Sequence, residues 1–407
     1  MQERTATADA VLAPNYNPLD VVISTASDCW VTDINGKKYL DCLAGYSALN
    51  FGHSNPTLLR AVEDQLHRVT LVSRAFDHDL MLPFASALTE LTGTEMMLPM
   101  NTGAEAVESA IKVARRWGYK SKGVAPEQAN IIVAEHSFHG RTTTIVSFST
   151  DPVARDHYGP YTPGFRVVPF GDIDAVRAAI DENTVAVLFE PIQGESGVVI
   201  PPENFLPELR TLCTENNVLM IIDEIQSGLG RTGYTLAQEH AGVQADLSTL
   251  GKALGGGVIP VSAVVGRRDV LSHLTPGTHG STFGGNPLAC AVGLAVVNLL
   301  KEGTIQERTR ELGVIFQQRL QEISDAGHLA AARVRGLWAG IDVEPELQQT
   351  GRQLCEQLAE RGMLCKDTHG STIRLAPPLT ISEEDLHHAM DILSDVLDAQ
   401  AARVGRA

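Results

Sequence analysis

Short runs rich in Val and Ile, without polar alternation, recur through the middle of the chain at 131–134, 167–169, 185–189, 218–222 and 261–265. Such runs suit strands buried on both faces, as in a mainly parallel sheet covered by helices. Residues 57–70, 79–92 and 103–118 carry apolar positions at helical spacing; in the third these are Ala106, Val107, Ala110, Ile111, Val113 and Ala114. Further helical patterns cover 286–301 and 304–325. The first 50 residues differ, with extended segments at 21–23, 30–32 and 38–40. Asn35-Gly36 lies between the last two as a hairpin signal. The tail repeats this mixed character, with strands expected at 333–343 and 372–375 and helices at 350–362 and 383–400. The pattern predicts an α/β protein. A large domain would span 51–325, and a smaller α+β domain would form from 326–407 joined by 1–50.

Composition narrows the possibilities. Hydrophobic residues make up 43% of the 407 and charged residues 20%, enough apolar surface to offset chain entropy. The 32 basic and 49 acidic residues leave a formal charge of −17, which argues against general binding to nucleic acid or anionic membrane. A local basic pocket for a small anion remains compatible with it. The six cysteines are scattered and form no C-x-x-C pair, so free thiols in a reducing, cytoplasmic compartment are expected. Met1 to Ala13 lacks the apolar core of a secretory signal, and no run of ~20 apolar residues predicts a membrane span.

Two glycine-rich segments compete as ligand loops. Residues 228–233 read Gly-Leu-Gly-Arg-Thr-Gly, formally a dinucleotide fingerprint. The context fails, because Asp-Glu-Ile-Gln-Ser separates it from the preceding strand. Asn101-Thr102-Gly103-Ala104-Glu105 is more informative, since small residues opening a helix leave N–H groups for an anion. An N-cap by Asn101 or Thr102 would explain the same residues.

Lys252 is the sole charge between Leu247 and Val265, inside Leu-Gly-Lys-Ala-Leu-Gly-Gly-Gly. A partly desolvated lysine has a depressed pKa and can act as a nucleophile, although a lysine whose amine reaches solvent would fit the same string. Asp223 follows an apolar strand, where it can hold a cationic ring nitrogen. An amine, an acidic partner and a helix N-terminus for phosphate are the requirements of pyridoxal phosphate. His136 and His139 are three apart, but with no further ligands nearby they do not predict a metal site.

At these residues the sequence resembles the class III (subgroup II) aminotransferases of the type I pyridoxal-phosphate fold. Asp223-Glu224-Ile225-Gln226-Ser227-Gly228 and Leu250-Gly251-Lys252-Ala253-Leu254 carry the class. Strings around Asn15–Leu19, Tyr46–Ala48, Ser73–Phe76, Pro99–Gly103, Phe138–Thr142, Glu190–Glu195, His279–Pro287 and Ile373–Leu379 narrow the resemblance to the ornithine branch. The resemblance implies that Lys252 is the Schiff-base lysine and proton carrier. Asp223 would pair with the ring nitrogen, Gln226 bond the ring hydroxyl and Phe138 stack on the ring. Gly103 and Ala104 would bind the phosphate, with Glu190 and Ser281 in the same cofactor set. Thr282 would reach the cofactor of a neighbouring subunit, implying a homodimer.

For substrate, the resemblance implies Arg141 on the α-carboxylate of ornithine with Tyr16 beside it, and Tyr46 shaping the pocket. Glu195 would cover Arg374 until 2-oxoglutarate arrives. The implied reaction moves the δ-amino group of L-ornithine to 2-oxoglutarate. Competing readings are an ω-aminotransferase for acetylornithine or 4-aminobutyrate, a racemase or aminomutase on the same fold, and a non-enzymatic binding protein. His139 stands where some relatives carry tryptophan.

Overall fold

The computed structural model describes residues 11–368 and 370–405. Residues 1–10, which hold most of the segment read as lacking a signal, lie outside the described residues.

The chain opens with an antiparallel meander, β1 (Ile23–Ser27), β2 (Trp30–Asp33) and β3 (Lys38–Asp41). Its β2–β3 turn follows from Asp33, whose Oδ1 accepts from the N–H groups of Asn35 and Lys37 while Gly36 takes a φ of 85°. That is a three-residue loop with its glycine in the left-handed region, where a Cβ is disfavoured. The first strand begins at Ile23, the last residue of the 21–23 run, and continues through Ser27.

The central sheet has seven strands: β4 (Met96–Met100), β5 (Asn130–Ala134), β6 (Phe165–Val168), β7 (Thr184–Phe189), β8 (Leu219–Asp223), β9 (Leu247–Leu250) and β10 (Ser262–Gly266). Their order is β4-β10-β9-β8-β7-β5-β6, and only β10 runs against the rest. The apolar runs lack alternation because both faces are covered. Ile131 and Val133 pack in one core with the helix Gly103–Trp117, while Ile132 and Ala134 pack in another with the helix Phe205–Glu215. Each such buried Val, Ile or Leu contributes about 1.5–3 kcal/mol. Strands β4 and β9 were not expected from the sequence; Met-Met-Leu-Pro-Met and Leu-Ser-Thr-Leu are short and poor in β-branched residues.

In the tail, the run at 333–343 is not one strand. It is most of a hairpin, β11 (Leu329–Arg335) and β12 (Trp338–Val343), turned at Gly336 with a φ of 57°. Apolar residues continue through the turn and disguise it. Three further strands follow, β13 (Met363–Leu364), β14 (Lys366–Asp367) and β15 (Thr372–Leu375). The strand order across one sheet is β11-β12-β15-β14, whereas β13 adds in parallel to β3 of the N-terminal meander. Cys29, Leu40 and Cys42 therefore share a core with Leu354, Leu358, Leu386 and Leu393 of the tail. The helix Thr304–Asp325 contributes Leu312, Phe316 and Leu320 to that same core, although it precedes residue 326.

The 228–233 glycine loop is a clamp between these parts. Arg231 is fully buried and donates to the carbonyls of Leu337 and Pro377 and to Asn50 Oδ1. Burial lowers its pKa to about 9, with the charge of Asp41 opposing the shift. Among the described residues no single helix is long and apolar enough to cross a membrane.

Candidate active site

Ligand-facing groups in a doubly wound sheet gather at the carboxyl ends of its parallel strands. Here Asp223 ends β8, Glu190 follows β7, Phe138 and His139 follow β5, Gly103 follows β4 and Lys252 follows β9. Together with Ala104, Gly140, Ile225 and Gln226 they line a pocket of about 170 Å³.

Asp223 is buried and fully engaged. Its Oδ1 accepts from Thr249 Oγ1 at 2.9 Å and from Ile225 N at 3.1 Å. Its Oδ2 lies 2.6 Å from His139 Nδ1. Burial opposes a charge on His139, yet the hydrogen bond and charge of Asp223, with Glu190, raise its pKa above the ordinary value. His139 Nε2 is buried without a hydrogen-bond partner. Glu190 accepts from Phe138 N at 2.9 Å and Gly194 N at 3.2 Å, and burial lifts its pKa to about 7.

The opposite end of the pocket is a helix start. Thr102 caps the helix Gly103–Trp117 reciprocally with Glu105, which also accepts from Asn101 N. The first N–H groups after the cap have no helical acceptor, so Gly103 and Ala104 present donors and the positive end of the helix dipole. Both readings of this segment therefore hold together: Thr102 caps, and the small residues stay open. A Cβ at Gly103 would meet Ile225 Cδ1 at 3.0 Å, which keeps this cradle narrow.

Lys252 begins the short turn Lys252–Gly255 with a φ of 44°, unusual for a residue with a Cβ. Burial brings its pKa down from 10.5 to about 8, with Arg374 acting in the same direction and Glu195, Asp223 and Glu190 opposing it. Its Nζ lies 5.7 Å from the Tyr46 ring centroid, and the Arg374 guanidinium lies 5.2 Å from the same centroid. Tyr46 reaches this position from a left-handed turn in which Ala44, Gly45, Tyr46 and Ser47 have φ of 47°, 57°, 60° and 67°. Each non-glycine residue held there costs roughly 1–2 kcal/mol.

Arg374, on β15, is 3% exposed in its side chain and donates through Nη1 to Glu195 Oε1 at 2.9 Å and Gln226 Oε1 at 3.3 Å. Burial works against charge on Glu195, but Arg374 and Lys252 hold its carboxyl below the ordinary value. Gln226 Nε2 also donates to Glu195 Oε1 at 3.3 Å. Arg141 is exposed, with its guanidinium 5.9 Å from the Phe138 ring centroid. Tyr16 is 78% exposed, on a segment held by Arg352 through the carbonyls of Asn17 and Pro18. Ser281 Oγ accepts from Asn101 Nδ2 at 3.0 Å, whereas Thr282 is exposed; neither lines this pocket.

The arrangement thus brings together Gly103, Ala104, Phe138, Glu190, Asp223, Gln226 and Lys252, with Tyr46, Glu195 and Arg374 adjoining. His139, Thr249 and Ile225 are pocket or Asp223 contacts that residue patterns did not identify. The only signal for His139 was its place directly after Phe138. Among the described residues no group of three or more His, Cys, Asp or Glu could hold a metal ion. Pyridoxal phosphate fits this donor set, with a carboxylate for a ring nitrogen, an aromatic wall, open helix N–H groups and an amine of lowered pKa.

A model of the aminotransferase class-III family matches residues 11–397. An ornithine aminotransferase of Bordetella pertussis is 51% identical over 389 residues, covering 96% of this chain and 94% of its own. The solved ornithine aminotransferase of Toxoplasma gondii superposes with a TM-score of 0.96 at 40% identity, over 99% of this chain and 96% of its own. An acetylornithine aminotransferase structure from Elizabethkingia anophelis has a TM-score of 0.90 and 43% identity, over 98% and 99% of the two chains.

Proposed function

The chain belongs to the aminotransferase class-III family, and from that premise we propose that it is an ornithine δ-aminotransferase that uses 2-oxoglutarate as acceptor. The observation that carries the reading is the Glu195–Arg374 pair at 2.9 Å beside Lys252. An arginine covered by a carboxylate leaves the site free for a cationic amine. Once uncovered, its planar guanidinium binds a carboxylate in two-point fashion. One site then serves an amine and a dicarboxylate in turn.

Pyridoxal phosphate, when bound, supplies the electron-withdrawing ring that makes the substrate's C–H acidic. Lys252 is the residue to hold it, and then to move a proton from Cδ of ornithine, a task suited to an amine with a pKa near 8. Asp223, fixed by Thr249 and His139, is the carboxylate that would meet the ring nitrogen. Phe138 would cover one face of the ring, Gln226 would reach its hydroxyl and Gly103 and Ala104 would bind the phosphate, while Glu190 orders the Phe138 backbone. Arg141, with Tyr16, takes the α-carboxylate of ornithine, so that the δ-amine points inward. Glutamate-5-semialdehyde leaves and cyclises to pyrroline-5-carboxylate.

A homodimer belongs to the same reading. Thr282 is exposed and does not line this chain's pocket, and Phe283 beside it is 55% exposed and Phe76 is 70% exposed. Both features suit a neighbouring subunit whose cofactor Ser281 and Thr282 serve. Six free cysteines, all buried, suit a reducing compartment such as the cytoplasm.

The test is an amino-donor panel run with and without 2-oxoglutarate, with pyrroline-5-carboxylate detected. Ornithine, dependent on the keto acid, is the expected best donor. A preference for acetylornithine or 4-aminobutyrate would replace the reading with that of another ω-aminotransferase. Turnover without keto acid would point to a racemase or aminomutase.

A further inference from the structure

The left-handed turn that carries Tyr46 has its own anchor. Asp41, the last residue of β3, turns Oδ1 back to accept from the N–H groups of Leu43 and Ala44, both at 2.9 Å. Its Oδ2 lies 2.8 Å from His53 Nε2. Asp41 is 7% exposed, Ala44 is fully buried and Ser47 is 1% exposed. Ser47 Oγ has no hydrogen-bond partner, so the serine side chain does not hold the turn. The remaining support is backbone: Tyr46 N to Leu43 O at 3.0 Å and Leu49 N to Ala44 O at 2.9 Å.

Three residues with side chains stay at positive φ only where the surroundings over-determine them. Here the carboxylate caps the entry to the turn, and His53 fixes the carboxylate. What the turn delivers is the Tyr46 ring, whose centroid lies 5.7 Å from the Lys252 amine and 5.2 Å from the Arg374 guanidinium. The ring covers the guanidinium from one direction, while Glu195 and Gln226 bond its Nη1.

We infer that Asp41, clamped by His53, is a positioning residue for substrate orientation. It holds the strained turn so that Tyr46 shields Arg374 from the α-carboxylate of the amine substrate. This rests on the reading of the site as an ornithine δ-aminotransferase. Without the anchor the turn relaxes, Tyr46 leaves the guanidinium, and ornithine can bind reversed with its α-amine at Lys252.

The experiment compares Asp41→Ala, Asp41→Asn and His53→Ala in the cofactor-loaded enzyme, alone and with Tyr46→Ala. Two readouts are taken: the ratio of δ- to α-amine transfer from ornithine, and hydrogen exchange at the amides of residues 43–47. Asp41→Ala should lower the δ:α ratio about tenfold and speed exchange at these amides, with a coupled, non-additive effect in the Tyr46→Ala background. Asp41→Asn keeps an acceptor for both amides and should stay near the parent. His53→Ala lies at a half-buried position and should shift both readouts the same way by a smaller factor, even if Asp41→Ala fails to fold. Unchanged exchange in His53→Ala and Asp41→Ala would overturn the anchor. Faster exchange with an unchanged ratio, or a ratio change of equal size without Tyr46, would overturn the role in orientation. If the parent enzyme makes no pyrroline-5-carboxylate, the functional reading falls, while the exchange data still decide whether Asp41 anchors the turn.

Discussion

His139 Nδ1 and Asp223 Oδ2 lie 2.6 Å apart in a buried pair at the carboxyl end of the sheet. Burial opposes a charge on His139, while the hydrogen bond and charge of Asp223 raise its pKa, so the contact favours a proton on Nδ1 facing the carboxylate. The pair therefore holds Asp223 in one rotamer together with Thr249. Replacing His139 with Leu should leave cofactor bound but lower kcat by about 10–100-fold, by analogy with the loss of residues that orient the ligands of a metal site. Single-turnover kinetics would check it; an unchanged rate would show that Thr249 and Ile225 N suffice.

The same pair carries a pH signature in the apoprotein. A histidine whose folded pKa is raised contributes stability that is complete below its unfolded pKa, near 6.5. That contribution is lost as pH rises through the higher folded value. Denaturant melts of the parent and His139→Leu across pH 5 to 9 should converge as pH increases.

Lys252 has the opposite sign. Its pKa is about 8 in the fold against 10.5 ordinarily, so the unfolded chain binds more protons between those values and stability rises with pH there. Below pH 8 the buried charge costs most. Lys252→Met should abolish transamination. It should also stabilise the apoprotein at pH 7 by up to about 3 kcal/mol, the shift expressed at 1.36 kcal/mol per unit, with the advantage fading toward pH 10.5. Thermal melts at both pH values would measure it.

Glu195→Ala should uncouple the two half-reactions. With its 2.9 Å partner gone, the Arg374 guanidinium is left buried and attracts carboxylates strongly. The half-reaction with glutamate should quicken, while δ-transfer from ornithine slows. Stopped-flow measurement of each separately would show it. Equal changes in both would make Glu195 a general support rather than a cover.

Asp223→Ala removes the carboxylate bonded by His139 and Thr249. The half-reaction should fall by several orders of magnitude, since an uncompensated ring nitrogen is a poor electron sink. Retention of near-parent rates would displace Asp223 from this role.

Much of this protein was legible in its residues. The Val/Ile runs that became β5, β6, β7, β8 and β10 showed their burial by lacking alternation, and the helix Gly103–Trp117 announced itself by its cap and its apolar spacing. Lys252 and Asp223 stood out for local reasons: a lone charge in an apolar glycine-rich stretch, and a carboxylate closing a strand. What local pattern does not encode is which distant segments meet. His139 was adjacent in sequence to Phe138, yet its contact with Asp223 exists only because β5 and β8 lie two places apart in one sheet, with β7 between them. Strand β9 went unseen because pairing with β8 and β10, not side-chain preference, makes it a strand. Tyr46, Glu195 and Arg374 come from three parts of the chain, and the φ values at Ala44–Ser47 run against the preferences of residues with side chains. Such a turn persists only where burial and the Asp41 carboxylate outweigh its local cost, and that balance is decided by tertiary packing.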